Sequence, residues 1–358
     1  MNYPIIPALA LVCALTVPAQ AQESANVFLI TLDGLRWEEL FTGADEWLLG
    51  SDFTSDEPGL RTDFWHDDPM ERRRLLMPFF WSTIAEEGQL HGHRTLGSEA
   101  DVTNTRVFSY PGYNEILTGF ADPSIDSNDK IPNHNVTVLE WLNRQPEFEG
   151  RVAAFGSWDV FPYIINEERS GVSVNAGFEP AEPPVSERER FLNELQAQIP
   201  SPWGTVRLDA FTHHFAFEHL KRERPRVLYI AYGETDDFAH DGDYDAYLRA
   251  AHRTDAFIRD LWEWVQNDSE YAGRTTFLIT TDHGRGAREA WIGHGGNDDW
   301  AGSEHIWVAA IGPVTPPTGE ATTGSTGQNQ IAATVAAVLG LDYDAGGRAG
   351  RPIQAIIE

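Results

Sequence analysis

The sequence predicts an α/β fold in which a mixed, mostly parallel central sheet is covered by helices on both faces. Three observations support this prediction. Short, near-continuous apolar runs recur along the chain, segments with helical periodicity separate them, and the two kinds of segment alternate. Strands buried on both faces have continuous apolar runs, and alternation of strands with helices is typical of a parallel or mixed sheet.

The individual elements follow from these patterns. Five apolar runs predict strands: Asn26–Leu32, Arg151–Phe155, Arg226–Tyr232, Thr275–Thr281 and Ile306–Ile311. Six segments have helical periodicity: Leu75–Glu87, Val136–Arg144, Glu187–Gln198, Asp209–Lys221, Tyr244–Val265 and Gln328–Leu339. Segments 43–70 and 171–185 show neither an apolar run nor helical periodicity, and we interpret them as loop insertions. They would be lids near a site or surface loops without a function. We expect one domain that spans residues 22–358.

Residues 1–21 have the features of a signal peptide. An apolar run is followed by Ala19-Gln20-Ala21, a small-x-small cleavage pattern, and the run is too short to cross a bilayer. Cleavage near Ala21 would give a periplasmic or secreted protein without a membrane span; a buried helix or uncleaved anchor is the alternative. It would also remove Cys13, the single cysteine, so that a metal site must use carboxylates, imidazoles and hydroxyls. The absence of disulfides favours a bacterial periplasm.

The charge balance restricts the partners. The chain has 55 Asp and Glu against 26 Lys and Arg, a formal net charge of −29. Such a surface disfavours binding to nucleic acid and to anionic membranes. It also repels a phosphate substrate, unless the site supplies local positive charge, which two divalent cations would do.

Polar side chains follow three of the predicted strands. Asp33 follows the first strand, Asp236 and His240 follow the third, and Asp282 and His283 follow the fourth. Ligands of such sheets bind beyond the carboxyl ends of the strands. Each residue alone is more typical of a turn, a helix cap or the surface, but together they favour a metal site. Carboxylates and imidazoles without thiolates fit Zn²⁺, with Mn²⁺ and Mg²⁺ as alternatives.

A candidate nucleophile is Ser109, which precedes Pro111 at the start of a helical stretch. The positive end of a helix dipole favours negative charge on a hydroxyl placed there. Taken alone, however, a serine in this position is more typical of a helix N-cap.

Four segments resemble the alkaline phosphatase superfamily, nearest to its nucleotide pyrophosphatase/phosphodiesterase branch. Asp33 in LITLDGLRW resembles the first metal aspartate of that branch, in D-G-F-R. Ser109 in SYPGYNEILTG stands where the branch has its Thr nucleophile, in T-F-P-N-x-Y-x-x-x-T-G. Asp236 and His240 in TDDFAH resemble P-D-x-x-G-H, and Asp282 with His283 in TTDHGRG resembles S-D-H-G-M.

The resemblance implies two further site residues. His294 in GHGGNDDWAG resembles the His of H-G-Y-D-N and is favoured over His305 by its spacing and its glycine-rich loop. Asn128 in SIDSN resembles an Asn that binds a phosphate oxygen, with a solvated loop Asn as the alternative. Lys130, Arg285 and Arg288 are interpreted as surface cations, with binding of a monoester's charge as the alternative.

The resemblance also implies a mechanism. A phosphate ester would be cleaved by way of a phosphoserine on Ser109, with two divalent ions, Zn²⁺ favoured. One ion would contact Ser109 and be held by Asp33, Asp282 and His283. The other would be held by Asp236, His240 and His294.

Two departures from the superfamily's patterns concern the reaction class. The nucleophile is Ser rather than Thr, which is chemically equivalent as a hydroxyl but counts against the diesterase branch. Tyr113 stands where sulfatases have the Arg of C/S-x-P-x-R, which counts against a sulfatase. A phosphodiesterase or phosphatase is therefore favoured. A sulfatase-like enzyme, a phosphonate hydrolase and an exported non-catalytic binding relative remain as alternatives, and the sequence leaves the mono- or diester preference open.

Overall fold

The computed structural model describes residues 25–183 and 186–357. The predicted signal peptide, residues 1–21, lies outside the described residues. Within the described part of the chain no helix is both long enough and apolar enough to cross a membrane. The strands there are β1 (Asn26–Leu32), β2 (Gln89–His91), β3 (Ser98–Asp101), β4 (Val152–Gly156), β5 (Ser173–Ala176), β6 (Val227–Tyr232), β7 (Thr275–Thr280), β8 (Val308–Ile311), β9 (Gly319–Glu320) and β10 (Gly324–Gly327).

Eight strands form the central sheet in the order β5-β4-β6-β1-β7-β8-β2-β9. The pairs from β5 to β7 are parallel, whereas β8 is antiparallel to both of its neighbours. Strands β3 and β10 form a separate parallel pair. The predicted mixed, mostly parallel sheet is therefore confirmed.

Helices cover the sheet, and most are short. The α-helices are α1 (Trp37–Thr42), α2 (Glu46–Leu49), α3 (Glu57–Phe64), α4 (Pro69–Leu76), α5 (Ala85–Glu87), α6 (Ser109–Thr118), α7 (Val138–Asn143), α8 (Phe161–Ile164), α9 (Glu167–Ser170), α10 (Glu187–Gln198), α11 (Asp209–Glu223), α12 (Glu234–His240), α13 (Tyr244–Asn267), α14 (Ile331–Ala337) and α15 (Gln354–Ile357). A π-helix spans Phe80–Ile84, and 3₁₀ helices span Arg94–Leu96, Arg288–Ile292, Asp298–Trp300 and Gln328–Gln330.

The central strand β1 shows why helices pack on both faces. All seven of its residues are buried. Since successive side chains of a strand point to opposite faces, Phe28 and Ile30 join one apolar cluster, with α11 and α13. Val27 and Leu29 join a second cluster, with α6, α7 and α14.

The five predicted strands correspond to β1, β4, β6, β7 and β8, with ends that agree within two residues. The strands that sequence reasoning missed have two to four residues, too few for a periodic signal. The predicted helix Leu75–Glu87 is wrong as one continuous element. Helix α4 ends at Leu76, because Pro78 disfavours helical dihedrals at Met77, whose φ and ψ are −128° and 71°.

Segment 43–70 is helical rather than an irregular loop. It contains α2, α3 and the start of α4, and the side chains of Asp45, Asp56 and Asp68 cap their first turns. Leu48 and Leu60 are fully buried in the core. Segment 171–185 likewise contains a regular element, the edge strand β5. These elements are too short for apolar periodicity, and the capping aspartates were the available signal.

Candidate functional site

The carboxyl ends of three adjacent parallel strands, β6, β1 and β7, meet at one edge of the sheet. Asp33 directly follows β1, α12 with Asp236 follows β6, and Asp282 with His283 follows β7. The backbone N–H of Asp33 still donates to Tyr232 O at the end of β6, 3.0 Å away. The side chains that the sequence singled out at strand ends are thus brought together.

Asp33, Asp282 and His283 form the first ligand group. Their ligand atoms lie within 4.8 Å of one another. His283 Nε2 is 3.4 Å from Asp33 Oδ1 and 3.4 Å from Asp282 Oδ2. Both carboxylate oxygens are buried, and neither has a hydrogen-bond partner among the residues that the structure describes.

The other polar atoms of these three side chains already make hydrogen bonds within the protein, and these bonds orient the three atoms that are left for a ligand. Tyr113 donates its hydroxyl to Asp33 Oδ2 at 2.8 Å, and the N–H of Gly34 donates to Asp282 Oδ1 at 3.1 Å. His283 Nδ1 is 2.9 Å from Gly284 O, a contact that requires a proton on Nδ1 and leaves the Nε2 lone pair for a ligand. The donor set therefore fits a divalent cation such as Zn²⁺.

Electrostatics supports the same conclusion. Burial, and then the charges of Asp282 and Asp236, raise the pKa of Asp33 well above its ordinary value. Burial also raises the pKa of Asp282 to about 6. Close, buried carboxylates are costly to ionise, and a cation between them removes this cost.

Asp236, His240 and His294 also lie close together and are the second candidate ligand group, called below the second ligand group. His240 Nε2 is 3.2 Å from Asp236 Oδ2 and 3.1 Å from His294 Nε2. His294 Nε2 is 3.6 Å from Asp236 Oδ1, and its Nδ1 is 3.2 Å from Val107 O, which again leaves Nε2 for a ligand. The rings of His283 and His294 stack at 3.8 Å, so that the two groups adjoin, and ligand atoms of Asp236, His283 and His294 also lie within 4.8 Å of one another.

The structure distinguishes the two histidines that competed for this position. His294 lies in the second group, on the loop after the 3₁₀ helix Arg288–Ile292. His305 Nδ1 is instead 3.0 Å from Asp101 Oδ1, a hydrogen bond elsewhere in the molecule. Burial, and then the charge of His283, hold the pKa of His294 well below its ordinary value, which favours the neutral, metal-binding form.

Ser109 is the first residue of α6 and is buried beside the first group. Its Oγ is 3.5 Å from His283 Nε2. Gly112 makes this approach possible, because a Cβ atom there would lie 2.6 Å from the backbone oxygen of Asp282. Asn128 is exposed and accepts from the N–H of Tyr110 at 3.0 Å, so it lies next to the candidate nucleophile.

The three cations occupy different settings. Lys130 and Arg288 are exposed, as expected, and Lys130 pairs with Asp159 at 2.7 Å. The interpretation of Arg285 as a surface cation is wrong. Its side chain is fully buried and donates from Nη1 to Asp236 Oδ1. Although burial opposes it, the charge of Arg285 holds the pKa of Asp236 well below its ordinary value.

Sequence reasoning also missed the role of Tyr113. The available signal was its spacing from Ser109, since residues four apart lie on one face of a helix. For Arg285, the signal was its position directly after Asp-His-Gly, where the resembled pattern has Met.

Comparisons with known proteins place this site in a family. The sequence profile of type I phosphodiesterase / nucleotide pyrophosphatase matches residues 52–310, a range that includes every candidate site residue except Asp33. No curated protein sequence matches the chain.

Solved structures show the same fold. The alkaline phosphatase PafA is 10% identical, with a TM-score of 0.61 over 95% of this chain and 100% of that one. The phosphonate monoester hydrolase SpPMH from Silicibacter pomeroyi is 12% identical, with a TM-score of 0.58 over 93% of this chain and 76% of that one. An alkaline phosphatase superfamily protein from Vibrio parahaemolyticus is 16% identical, with a TM-score of 0.52 over 90% of this chain and 68% of that one. With its alkaline-phosphatase-like fold and this profile match, the chain belongs to the type I phosphodiesterase/nucleotide pyrophosphatase family, within the metal-dependent alkaline phosphatase superfamily.

Proposed function

We propose that this protein is an exported, metal-dependent hydrolase of small phosphate esters, a phosphodiesterase or phosphatase, with Ser109 as its nucleophile. The observation that carries the proposal is the position of the Ser109 hydroxyl. It lies 3.5 Å from His283 Nε2, an atom that converges with two buried carboxylate oxygens lacking hydrogen-bond partners in the described chain. A hydroxyl beside such a cation site needs no neighbouring general base to become nucleophilic.

Two ions, Zn²⁺ favoured, are assigned to the two ligand groups. Asp33, Asp282, His283 and the Ser109 hydroxyl would hold one, and the second group, Asp236 with His240 and His294, would hold the other. When bound, the ions would supply the positive charge that lowers the pKa of the Ser109 hydroxyl and stabilises the oxygens of the phosphoryl group.

The reaction would proceed in two displacements. Ser109 Oγ loses its proton to solvent and forms a bond to phosphorus, while the bond from phosphorus to the leaving oxygen breaks and that oxygen takes up a proton. A water then attacks the phosphoserine, the Oγ–P bond breaks, and Ser109 regains its proton. Because Asn128 Oδ1 already accepts from Tyr110 N, its amide N–H groups are what it can donate to a phosphate oxygen.

Phosphate is favoured over sulfate as the substrate's reacting group. Tyr113, at the position of the sulfatase Arg, donates its hydroxyl to Asp33 Oδ2 and is fully buried. Tyr113 thus orients Asp33, a proposed metal ligand, and does not supply the positive charge of the sulfatase Arg. Phosphonate and sulfate esters remain alternatives that an experiment separates.

The test compares wild type with Ser109→Ala and Ser109→Thr on p-nitrophenyl phosphate, bis-p-nitrophenyl phosphate, a phenylphosphonate ester and p-nitrophenyl sulfate, with metal content measured for each protein. We expect a phosphate ester to be the best substrate. Ser109→Ala should lose turnover by at least about a thousandfold yet retain bound metal, whereas Ser109→Thr should retain activity. Full activity of Ser109→Ala would disprove the mechanism, and a metal content near zero in wild type would favour a non-catalytic binding protein.

Export is a separate part of the proposal and rests on residues 1–21. N-terminal sequencing of protein from a periplasmic fraction should find a start near Gln22. An intact Met1 in that fraction would contradict cleavage.

A further inference from the structure

A permanent cation lies inside the second ligand group. Arg285 donates from Nη1 to Asp236 Oδ1, and its Nη2 is 3.5 Å from His240 Nδ1. Its Nε donates to Trp291 O at 2.7 Å. The guanidinium therefore contacts two of the three side chains assigned to the second ion.

This cation is fixed in place by its surroundings. Trp291, whose carbonyl holds the Arg285 Nε, is fully buried. On the other side, a Cβ atom on Gly34 would lie 2.7 Å from Asp236 Oδ1 and 2.9 Å from Arg285 Nη1. The side chain of Arg285 therefore has no solvent-exposed surface, and it is held by Asp236 on one hand and by the carbonyl of Trp291 on the other.

The formal charges of the two groups consequently differ. Asp33 and Asp282 together offer two negative charges to a cation when ionised. In the second group the single charge of Asp236 is cancelled by Arg285, because His240 and His294 bind metal in their neutral form.

The carboxylate of Asp236 is also divided between partners. Oδ1 accepts from Arg285, whereas Oδ2 lies 3.2 Å from His240 Nε2. An ion bound at the second group would therefore share the Asp236 carboxylate with the Arg285 guanidinium. The positive charges of the ion and of the guanidinium would repel each other strongly at such short range, even at a moderately high effective dielectric constant.

We propose that Arg285 makes the two metal positions unequal, so that an ion at Asp33, Asp282 and His283 binds first and tightly and the ion at the second group binds later and more weakly. Arg285 is a positioning residue that acts through Asp236. The inference rests on the proposed function only in that both groups bind divalent cations.

The experiment titrates Zn²⁺ into chelator-stripped protein by isothermal calorimetry, with bound zinc counted by mass spectrometry after gel filtration. Wild type should show two affinity classes. In Arg285→Met, which installs the residue of the resembled pattern, the weaker class should tighten by at least about tenfold and the tighter class should stay unchanged. Arg285→Lys keeps the charge and should keep the weak class.

Two further variants make the result specific. Arg285→Gln retains hydrogen-bonding groups for Asp236 and should tighten the second ion as Arg285→Met does, which covers the case in which Arg285→Met fails to fold. Arg288→Met removes an equal charge from an exposed side chain three residues away and should leave both classes unchanged.

The outcomes separate this inference from the proposed function. Equal affinities for two ions in wild type, or a second ion that Arg285→Met and Arg285→Gln weaken or leave unchanged, would overturn the inference while leaving a metal enzyme in place. Tightening cannot arise from a loosened fold, which would weaken both ions. A wild type that takes up no zinc would overturn both proposals.

Discussion

Tyr113 shows how one hydroxyl orients a ligand of the proposed first ion. Its side chain packs edge-on against Phe161 with ring centroids 4.8 Å apart, and its hydroxyl holds Asp33 Oδ2, so that Oδ1 is left to face His283. Residues that orient a metal ligand in this way commonly change metal affinity when they are substituted.

We therefore expect Tyr113→Phe to weaken zinc binding by about tenfold to a hundredfold while the protein stays folded, because only the hydroxyl is lost. Tyr110→Phe is the matched control, since Tyr110 on the same helix donates its hydroxyl to the backbone of Ile131 rather than to a ligand. Competition with a chromophoric chelator measures both affinities. Equal affinities for the two variants would show that the Asp33 contact has no effect on the metal.

The site residues that the sequence predicted and those that it missed differ in whether local structure determines their position. Asp33, Asp236 and Asp282 stand within four residues of the ends of adjacent strands, so that sheet geometry brings them together. His294 required the resemblance, because a glycine-rich loop gives no local rule for where it places a side chain. Arg285 was missed because its burial depends on an ion pair with a residue 49 positions away, and a single-sequence pattern carries no information about such a contact.

At the level of elements, the contact between α6 and the end of β7 places Ser109. All ten residues of α6 are buried, and the helix approaches the backbone of Asp282 at Gly112. A methyl group there would have to displace the helix, because its contact would be with backbone and not with a flexible side chain.

Gly112→Ala should accordingly destabilise the protein by about 1–3 kcal/mol and lower turnover by shifting Ser109. Gly204→Ala is the control, because a Cβ atom at Gly204 meets no atom within 4 Å. Urea denaturation and turnover of the best phosphate ester give the two readouts. A Gly112→Ala variant as stable and as active as wild type would refute the role assigned to this contact.

A second element-level contact joins α13 to the π-helix. Asp255 accepts from the N–H groups of Phe79 and Phe80 at 2.8 and 2.9 Å, and burial raises its pKa to about 7. Because the folded protein holds this proton more tightly than the unfolded chain does, the contribution of Asp255 to stability is complete below about pH 4 and is lost as the pH rises through about 7.

Asp255→Asn should therefore flatten the dependence of stability on pH between about 4 and 7. The free energy of unfolding in urea, measured at several pH values for both proteins, gives the slopes. Identical slopes would exclude Asp255 as a titrating group in that interval.

For the whole molecule, the proposed metals would stabilise the fold as well as serve the reaction. Asp33 and Asp282 are buried close together at the carboxyl ends of β1 and β7, where their repulsion opposes folding. Ions that bind only the folded state add stability that grows with the ratio of free ion to dissociation constant, about 4 kcal/mol at a thousandfold ratio.

Removal of metal with a chelator should lower the Tm by several degrees, and added zinc should restore it. The Ser109→Ala variant should show the same shift, because its ligand groups keep their aspartates and histidines. A Tm that is indifferent to chelator and zinc would contradict tight ion binding at these groups.

Five of the eight central strands were predictable, because they are buried on both faces and so are continuously apolar. The edge strand β5 and the short strands β2 and β9 were not. The elements of segment 43–70 were not, because four to eight residues carry too little periodicity and their burial depends on partners distant in the chain. In particular, the ring of Phe53 in this segment packs on Trp291 with ring centroids 5.5 Å apart. The backbone N–H of Tyr244 also donates to the carbonyl oxygen of Phe53.

That packing links segment 43–70 to the candidate site through a short chain of contacts. Phe53 touches Trp291, the carbonyl of Trp291 holds Arg285, and Arg285 holds Asp236. Exchange of segment 43–70 between relatives in order to alter substrate preference would therefore disturb the proposed metal ligands as well. The transplantable unit is larger than the segment itself and includes residues 285–294, so chimeras should be designed with both pieces from the same parent.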